Sequence, residues 1–414
     1  MGGLFGKKKK DFRDISIDLE ECSQVPSLVS MFVDTFVDYV VGGQFLGPHP
    51  SNVQNSSTVQ EPVCTVYPAA DRLIAIGDFH GDLNKAKEAL FIAEVMDHKE
   101  KWIGGKTVVV QVGDLLDRGG NELKIIYLLE KLKIEAQRVG GEVHIMNGNH
   151  EIMNVGGDFR YVTPEGLDEF KRWADWYKMG NVLKERCKGL EKPYDFFKDM
   201  PAINMTDRSK ARFAALRPGG PITSRFLARH PVVLAVGGNV FVHGGLMQNH
   251  IDYGINKINR EAREWMEGKL KFRAPKLIRG SRSPVWLRTF SVEEENMVNC
   301  STLDKVLSKI PGAKRMVMGH TVQLSGVNGV CNNRAVRVDV GMSRGCGDGP
   351  PEVLEIRNDE VMTVLTGSSP EDSTDDMSQL TGCNSGIANL LTPQGSPITV
   401  PVNLQTSPDF EIFS

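Results

Sequence analysis

The sequence lacks the paired cysteines that hold a zinc ribbon, because no two of its cysteines have Cys-x-x-Cys spacing. The seven cysteines are scattered along the chain: Cys22, Cys64, Cys187, Cys300, Cys331, Cys346 and Cys383. This scatter favours a reducing compartment, in which thiols stay unpaired. In an oxidising compartment, Cys331 and Cys346 could form a disulfide.

The sequence also lacks an excess of charge and a long apolar run. Its 49 basic and 52 acidic side chains leave a formal net charge of −3, which gives no long-range attraction to nucleic acid. No apolar run approaches the roughly 20 residues that a membrane helix requires. A cleaved organelle transit peptide is disfavoured, because acidic residues begin as early as Asp11 and Asp14.

Composition divides the chain into four segments. Residues 1–24 are poor in apolar side chains and are expected to be disordered. Residues 367–414 are rich in Ser, Thr, Pro, Asp and Gln, and they cannot bury enough apolar area to fold alone. Residues 25–62 are predicted to form an amphipathic helix and a Pro-rich linker. With 40% hydrophobic content in 414 residues, the chain can bury one large core, which we expect in residues 63–366.

The predicted helix covers Leu28–Val41, and we expect it to dock on the domain. Its apolar side chains fall on one face at helical spacing: Phe32, Val33, Phe36, Val37 and Val40.

The first ten residues carry two features of membrane-anchored proteins. Gly2 could accept a myristoyl chain, and Lys7–Lys10 could supply the electrostatic attraction that a single acyl chain needs. Position 6 is glycine instead of the Ser or Thr of the acylation motif, so a solvated start is the alternative. Contact with a membrane surface is therefore an open alternative.

Five short motifs hold the side chains that suggest chemistry. In chain order they are Gly77–Asp82, Gly113–Gly119, Gly148–Glu151, Val242–Gly245 and Met318–Thr321. Each motif follows a short apolar run rich in β-branched residues, which predicts a strand that ends at the motif. Helical patterns separate the first three motifs. Because parallel strands bring their carboxyl ends to one edge of a sheet, we expect Asp78, Asp114 and Asn149 to converge there.

Carboxylate, amide oxygen and imidazole together suit two ions of Mn, Fe or Zn. A single motif proves little, since His243 or His320 alone is as consistent with a hydrogen-bonded core histidine. The joint occurrence of five motifs at five strand ends is what predicts a metal site.

The set of motifs resembles that of the phosphoprotein phosphatases among the calcineurin-like metallophosphoesterases. Three further stretches, Met153–Val162, Leu216–Pro221 and Arg337–Ser343, resemble the Shewanella-like protein phosphatases, which are bacterial-type enzymes found in plants and some other eukaryotes. Phe32–Tyr39 and Cys331–Asn333 look most like the second of the two plant groups. The resemblance runs from about residue 25 to about residue 366. It implies an α/β fold, a metallophosphoesterase β-sandwich flanked by helices, with a helical cap insertion at about residues 159–218 and disordered tails.

The resemblance also implies a role for each site residue. One metal would be held by Asp78, His80 and Asp114, and the other by Asp114, Asn149, His243 and His320. A water that bridges the two ions would attack the phosphorus in line. His150, which is not a ligand, would protonate the leaving group while Asp117 orients it. The phosphate oxygens would be bound by Arg118 and Arg288.

Two positions depart from the larger eukaryotic phosphatases. Asn147 stands where many relatives place a phosphate-binding arginine. Asp339–Ser343 stands where the serine/threonine enzymes carry a Ser-Ala-Pro-Asn-Tyr loop that natural-product inhibitors bind. Inhibitor sensitivity and a strict serine/threonine preference are therefore not expected to carry over.

Three functions follow as hypotheses. The first is a metal-dependent phosphoprotein phosphatase, acting on phosphotyrosine, on phosphoserine and phosphothreonine, or on both. The alternatives are a dinucleoside polyphosphate hydrolase and a non-catalytic metal-binding scaffold. The expected partner is a phosphoprotein or phosphopeptide, with no nucleic acid. A cytoplasmic location is expected, with peripheral membrane attachment, or a mitochondrial location by analogy with plant relatives, as alternatives.

The cap insertion contains aromatic side chains at helical spacing: Phe170, Trp173, Trp176 and Tyr177. They could pack among themselves or select the substrate over the strand ends. We hypothesise that Trp173 and Trp176 contact a phosphopeptide.

Overall fold

A computed structural model describes residues 19–46, 64–187, 189–190, 192, 195–198, 200, 205–270, 273–367 and 387–389. The expectations for Gly2, Lys7–Lys10 and the linker at residues 48–62 lie outside the described residues, as do those for most of the C-terminal segment.

A strand ends before each predicted motif or at its first residue. In chain order the strands are β1 (Val66–Tyr67), β2 (Arg72–Ile76), β3 (Val108–Gln111), β4 (Glu142–Ile145), β5 (Val233–Val236), β6 (Asn239–Val242), β7 (Arg315–Met318), β8 (Asn328–Val330), β9 (Ala335–Arg337), β10 (Glu352–Arg357), β11 (Val361–Thr366) and β12 (Ile387–Asn389). The side chains of the central strands β2, β5, β6 and β7 are almost wholly buried, which matches the continuous apolar sequence of these strands.

These strands form two six-stranded sheets. One has the order β12-β11-β10-β2-β3-β4, and the other has the order β1-β5-β6-β7-β9-β8. Strands β2, β3 and β4 run parallel, as do β6, β7 and β9. Strand β12 lies inside the segment that the sequence predicts to be a disordered tail, and it pairs with β11 at the end of the domain. One continuous hydrophobic core includes side chains from both sheets, which confirms the predicted α/β sandwich.

Helices flank the sheets. In chain order they are α1 (Leu19–Gly42), α2 (Leu83–Ile92), α3 (Glu122–Gln137), α4 (Asn149–Val155), α5 (Pro164–Glu185), α6 (Asp207–Leu216), α7 (Pro221–Arg225), α8 (Gln248–Tyr253), α9 (Ile255–Met266) and α10 (Cys300–Leu307). The predicted cap contains α5 and α6, which pack against each other, and α5 also packs against α1. We call α1, α5 and α6 the helical layer.

Motif residues also begin two of the helices. The side chain of Asp82, the last residue of the first motif, accepts a hydrogen bond from Lys85 N at 3.3 Å and caps α2. Helix α4 begins at Asn149, so the third motif passes directly from a loop into a helix.

Helix α1 docks as predicted, but only through part of the predicted face. Val33, Val37 and Val41 are buried, whereas Phe32 is 73% exposed and Phe36 is also exposed. A helix with apolar residues on two sides can bury only one of them against the domain. Contrary to the sequence-based expectation, the segment Val25–Gly42, with a mean hydropathy of 1.3, is long and apolar enough to cross a membrane by length and composition alone.

The cysteine pairing also differs from the expectation. Cys331 forms a disulfide with Cys300, with the two Cα atoms 5.4 Å apart, and not with Cys346. Cys300 begins α10 and Cys331 follows β8, so the fold brings these two elements together. The Cys346 thiol is free and lies at the candidate active site instead.

Candidate active site

The five motifs meet at the carboxyl ends of their strands. The Nε2 atom of His243, directly after β6, lies 3.1 Å from Asp114 Oδ2. His80 Nε2 lies 3.8 Å from the same oxygen and 3.9 Å from Asp78 Oδ2. All these side chains are buried. The parallel strands of the two sheets thus bring distant segments of the chain together at their carboxyl ends.

Two groups of side chains could each hold a metal ion. They are His80, Asp114 and His150, and Asp114, His243 and His320, with the ligand atoms of each group within 4.8 Å of one another. Asp114 belongs to both groups, so its carboxylate can bridge two ions.

Acceptor atoms face one another at the second group. His243 Nδ1 donates to Val112 O at 3.0 Å, so its Nε2 presents a lone pair when the ring is neutral. That Nε2 atom lies 2.9 Å from Asn149 Oδ1. Burial opposes a charged His243, yet the carboxylates of Asp114 and Glu151 raise its pKa. The site therefore favours a positive charge among these atoms, and a metal ion would supply it.

The histidines His80 and His320 are neutral ligand candidates. Burial lowers the pKa of His80 to about 4 and that of His320 to about 2. His80 Nδ1 donates to Leu116 O at 3.0 Å, which leaves Nε2 free to bind a metal. His320 Nε2 is buried and has no hydrogen-bond partner in the described part of the chain. An orphaned buried nitrogen of this kind fits a metal ligand.

Negative charge is concentrated at the same place. Burial, and then the carboxylates of Asp339 and Asp114, raise the pKa of Asp78 well above its usual range. Burial also raises the pKa of Asp339. For Asp114, the surrounding histidines outweigh burial and hold its pKa well below the usual range. Dications would stabilise all three carboxylates in the charged form.

Glu151 holds the loop after β3 in place. Its carboxylate accepts hydrogen bonds from the backbone N–H groups of Asp114, Leu115, Leu116 and Gly148 at 2.7–3.1 Å. The loop needs this support because Asp114, Asp117 and Arg118 within it have left-handed backbone angles, with φ of 57°, 69° and 63°.

Two glycines allow the close packing of the ligands. A Cβ atom at Gly148 would collide with the Asp114 carboxylate, and one at Gly319 would collide with the Asp78 carboxylate. Glycine is therefore required at both motif positions by the approach of a ligand.

His150 and Asp117 form a buried pair beside the ligands. His150 Nδ1 donates to Asp117 Oδ2 at 2.6 Å, and His150 Nε2 lies 3.8 Å from Asp114 Oδ2. Burial opposes a charged His150, yet Asp114 and Asp117 raise its pKa overall. The structure thus brings together the pair that the sequence predicts.

A cavity of about 310 Å³ opens onto these groups, and Arg118, Arg288, Tyr161 and Trp286 help to line it. The Arg118 guanidinium lies 4.9 Å from the centre of the Tyr161 ring, and its buried Nε has no hydrogen-bond partner among the described residues. Arg288 Nη1 donates to His320 O and to Thr321 Oγ1, both at 2.9 Å. Both predicted arginines therefore reach the cavity.

Comparisons with known proteins agree with this geometry. Residues 71–324 match the calcineurin-like phosphoesterase family. The chain is 54% identical to Shewanella-like protein phosphatase 2 of Arabidopsis thaliana over 354 residues, which cover 84% of this chain and 89% of that protein. The chain belongs to the Shewanella-like protein phosphatase family. It is also 29% identical to Shewanella-like protein phosphatase 1 of Plasmodium berghei, with 71% of this chain and 74% of that protein covered.

Solved structures show the same fold. A structure of a cold-active protein tyrosine phosphatase matches with a TM-score of 0.55 and 22% identity, covering 76% of this chain and 81% of that chain. A structure of such an enzyme from a psychrophilic Shewanella species matches with a TM-score of 0.52 and 21% identity, covering 77% and 86%. Membership of the family implies a dimetal site, and the two ligand groups that share Asp114 fit one.

The predicted substrate contacts of the cap are wrong. Trp173 is 2% exposed and stacks on Tyr177 with ring centres 4.9 Å apart. Trp176 packs edge-on against Phe36 of α1, at 5.6 Å. Both indoles face the interior of the helical layer and not the cavity, because α5 uses this face to bury α1.

The position of Asn147 explains why no arginine stands there. Its side chain is fully buried and donates to Leu227 O at 2.9 Å and to His230 O at 2.6 Å. It lies outside the residues that line the cavity.

Four residues with evident roles in the site escaped the sequence-based reasoning: Glu151, Tyr161, Arg212 and Glu122. Only Glu151 had a signal, since it belongs to the third motif. Tyr161 lies within the stretch Met153–Val162 that carries part of the family resemblance, but no spacing marks it as a cavity residue. Arg212 and Glu122 are distant in sequence from His150 and are linked to it only by the fold.

Proposed function

We propose that the chain is a metal-dependent phosphoprotein phosphatase that hydrolyses phosphomonoesters by in-line attack of water. The observation that carries the proposal is the junction of two ligand groups at Asp114, directly beside the His150–Asp117 pair. A complete set of ligands with a positioned proton donor also weighs against a non-catalytic scaffold.

We assign Asp78, His80 and Asp114 to one ion, and Asp114, Asn149, His243 and His320 to the other. His150 is close enough to bind an ion, but Asp78 would then be left as a buried carboxylate without a cation. When bound, two dications lower the pKa of a shared water and stabilise charge on the phosphoryl group. Mn, Fe and Zn all suit this donor set.

The protein side chains supply the remaining steps. His150 holds a proton on Nδ1 towards Asp117, so its Nε2 faces the cavity and can deliver a proton to the leaving oxygen. The guanidinium groups of Arg118 and Arg288 line the cavity and can bind the non-bridging phosphate oxygens.

The walls of the cavity favour a phosphorylated side chain on a polypeptide. Tyr161 and Trp286 give the cavity two aromatic walls, against which a phosphotyrosine ring can stack. A second, mostly apolar cavity of about 670 Å³ adjoins at Trp286 and can take side chains that flank the phosphorylated residue. We therefore propose phosphotyrosine as the preferred substrate. The names of the relatives support a phosphoprotein substrate but do not say which phosphorylated residue is preferred.

Turnover of matched substrates tests this function. A phosphotyrosine peptide, the same peptide with phosphoserine, and a dinucleoside tetraphosphate are compared in the presence of Mn²⁺, with and without a chelator. We expect chelator-sensitive release of phosphate from the phosphotyrosine peptide. Hydrolysis of the dinucleotide alone would contradict the proposal, as would activity that persists after every metal is removed.

The cellular setting remains a prediction. Membrane contact through Gly2 and Lys7–Lys10 is supported by the apolar side chains that α1 exposes further along the sequence, including Phe32. Cytoplasmic location stays a prediction too. The Cys300–Cys331 disulfide weighs against it, because reducing compartments keep thiols unpaired. Binding of the full chain to anionic vesicles, and fractionation of cells, test these two points.

A further inference from the structure

The carboxylate of Asp117 has three side-chain partners, and all of them are buried. Oδ2 accepts from His150 Nδ1 at 2.6 Å. Oδ1 accepts from Arg212 Nη2 at 3.0 Å and from Asn154 Nδ2 at 2.9 Å. Because Oδ1 is held from two directions, Oδ2 can point only towards His150. The orientation of the histidine therefore depends on groups beyond Asp117 itself.

Arg212 is the member of this network that comes from the cap insertion. It lies on α6 and is 0% exposed. Besides Asp117, its guanidinium donates to Glu122 Oε1 at 2.9 Å, to Glu122 Oε2 at 2.6 Å and to Asn154 Oδ1 at 2.8 Å. Its face lies 4.6 Å from the centre of the Phe170 ring. The planar fork is thus fixed by bidentate and stacking contacts, which a lysine could not reproduce.

The charges explain why an arginine is needed at this point. Two carboxylates, Asp117 and Glu122, are fully buried and close together, and Glu122 also accepts from Asp117 N at 3.0 Å. Burial raises the pKa of Glu122, while Arg212 opposes the shift. Without the guanidinium, the two carboxylates would repel each other, and Asp117 would lose the contact that holds Oδ1.

We propose that Arg212 is a positioning residue for the reaction: it holds the Asp117 carboxylate against His150 and so keeps His150 Nε2 turned towards the leaving group. The proposal rests on the phosphatase function proposed above. It gives the helical insertion a role in proton transfer through α6, in place of the peptide contact predicted for Trp173 and Trp176.

The first test removes the charge pair without leaving a buried charge unpaired. In the variant Arg212→Met with Glu122→Gln, kcat/KM is measured on phenyl phosphate and on p-nitrophenyl phosphate. The two substrates have nearly the same size, but only phenoxide needs a proton to leave readily. We expect kcat/KM on phenyl phosphate to fall by about 10–100-fold, by analogy with the loss of a side chain that orients a metal ligand. The loss on p-nitrophenyl phosphate should be much smaller, with metal content unchanged.

The matched control removes another arginine–carboxylate pair, in which Asp38 is buried and Arg225 is partly exposed. Arg225 donates from Nη1 and Nη2 to the Asp38 carboxylate, both at 2.6 Å, between α7 and α1. In the variant Arg225→Met with Asp38→Asn, any loss of activity should be equal on the two substrates. A leaving-group effect in this control would overturn the assignment to Arg212, as would equal losses on both substrates in the Arg212 variant.

The second test asks whether Arg212 acts through His150. The Arg212 and Glu122 substitutions are introduced again in a chain that carries His150→Asn. Per folded molecule, we expect no further loss on phenyl phosphate, because the group that the network orients is already gone. A full additional loss would overturn the proposal. Failure of the proposed phosphatase function would look different, because the unaltered protein would then hydrolyse neither aryl phosphate.

Discussion

Two regions of this molecule bury polar and charged side chains, and they differ in whether those side chains have hydrogen-bond partners. Beneath the helical layer, the guanidinium of Arg212 has hydrogen-bond partners for Nε, Nη1 and Nη2. At the strand ends, His320 Nε2 and Arg118 Nε have no hydrogen-bond partner in the described ranges. The carboxylates of Asp78 and Asp114 crowd together there.

The difference separates a structural cluster from a reactive one. A folded protein satisfies buried polar groups, because each unsatisfied group costs about 1–3 kcal/mol. Groups left unsatisfied in a cavity are therefore candidates for a ligand, and here the chemistry of the unsatisfied atoms matches metal ions and phosphate oxygens. The two regions meet at Asp117, which has one carboxylate oxygen in each.

Loss of the shared ligand should have the largest effect. In Asp114→Asn, the carboxylate charge that offsets the repulsion of two dications is gone, so elemental analysis should find less metal than in the unaltered protein. Activity should fall by more than the about 10–100-fold that an outer-shell partner costs. Asp38→Asn is the matched control, since Asp38 is an equally buried carboxylate under the helical layer, and it should retain its metal. Full metal occupancy and normal turnover in Asp114→Asn would contradict the two-metal site.

Loss of the proton donor should come next. In His150→Asn, metal content should stay nearly constant, while turnover of phenyl phosphate falls by about 10²–10⁴-fold, as is typical of lost general acid catalysis. The loss on p-nitrophenyl phosphate should be smaller, because its leaving group needs no proton. Equal losses on the two substrates would show that His150 does not act as the acid.

Trp173 tests whether the helical layer contributes to substrate binding. Since its indole is buried against Tyr177, Trp173→Ala should lower the free energy of unfolding by about 3–5 kcal/mol. Per folded molecule, a phosphopeptide and p-nitrophenyl phosphate should lose activity in parallel, as measured by kcat/KM beside chemical denaturation. A loss confined to the phosphopeptide would revive the substrate contact that the sequence suggested.

The smallest expected effect is a pH dependence of stability from Glu169. Burial, and then the Glu122 charge, raise the pKa of Glu169 from 4.5 to about 7, although its carboxylate accepts from Leu123 N and Lys124 N. The folded state thus binds this proton more tightly, and the stability it contributes is complete below pH 4.5 and lost as the pH rises through about 7. The change should amount to up to about 3 kcal/mol.

Denaturation at pH 5 and pH 8 measures this slope. In Glu169→Gln the side chain no longer titrates, so the loss of stability that Glu169 causes between pH 5 and pH 8 should vanish. An unchanged slope in the variant would assign it to other groups.

The ligand residues could be predicted from sequence because each lies within four residues of a strand end in a glycine-marked motif. His80, Asp114 and His243 needed no knowledge of long-range packing beyond the parallel order of the strands. The disulfide could not be predicted in this way. Cys300 and Cys331 are 31 residues apart, and only the contact between α10 and the end of β8 selects this pair over Cys331 with Cys346.

The sequence by itself therefore determined the α/β class, the family and the candidate ligands, because short motifs and apolar, β-branched strand segments are local properties of the chain. The tertiary structure alone decided which face of α1 is buried, where Trp173 points and what stands behind Asp117. Such choices depend on which side chains compete for one buried space. Arg212 meets Asp117 across 95 residues of sequence, and no local pattern records that contact.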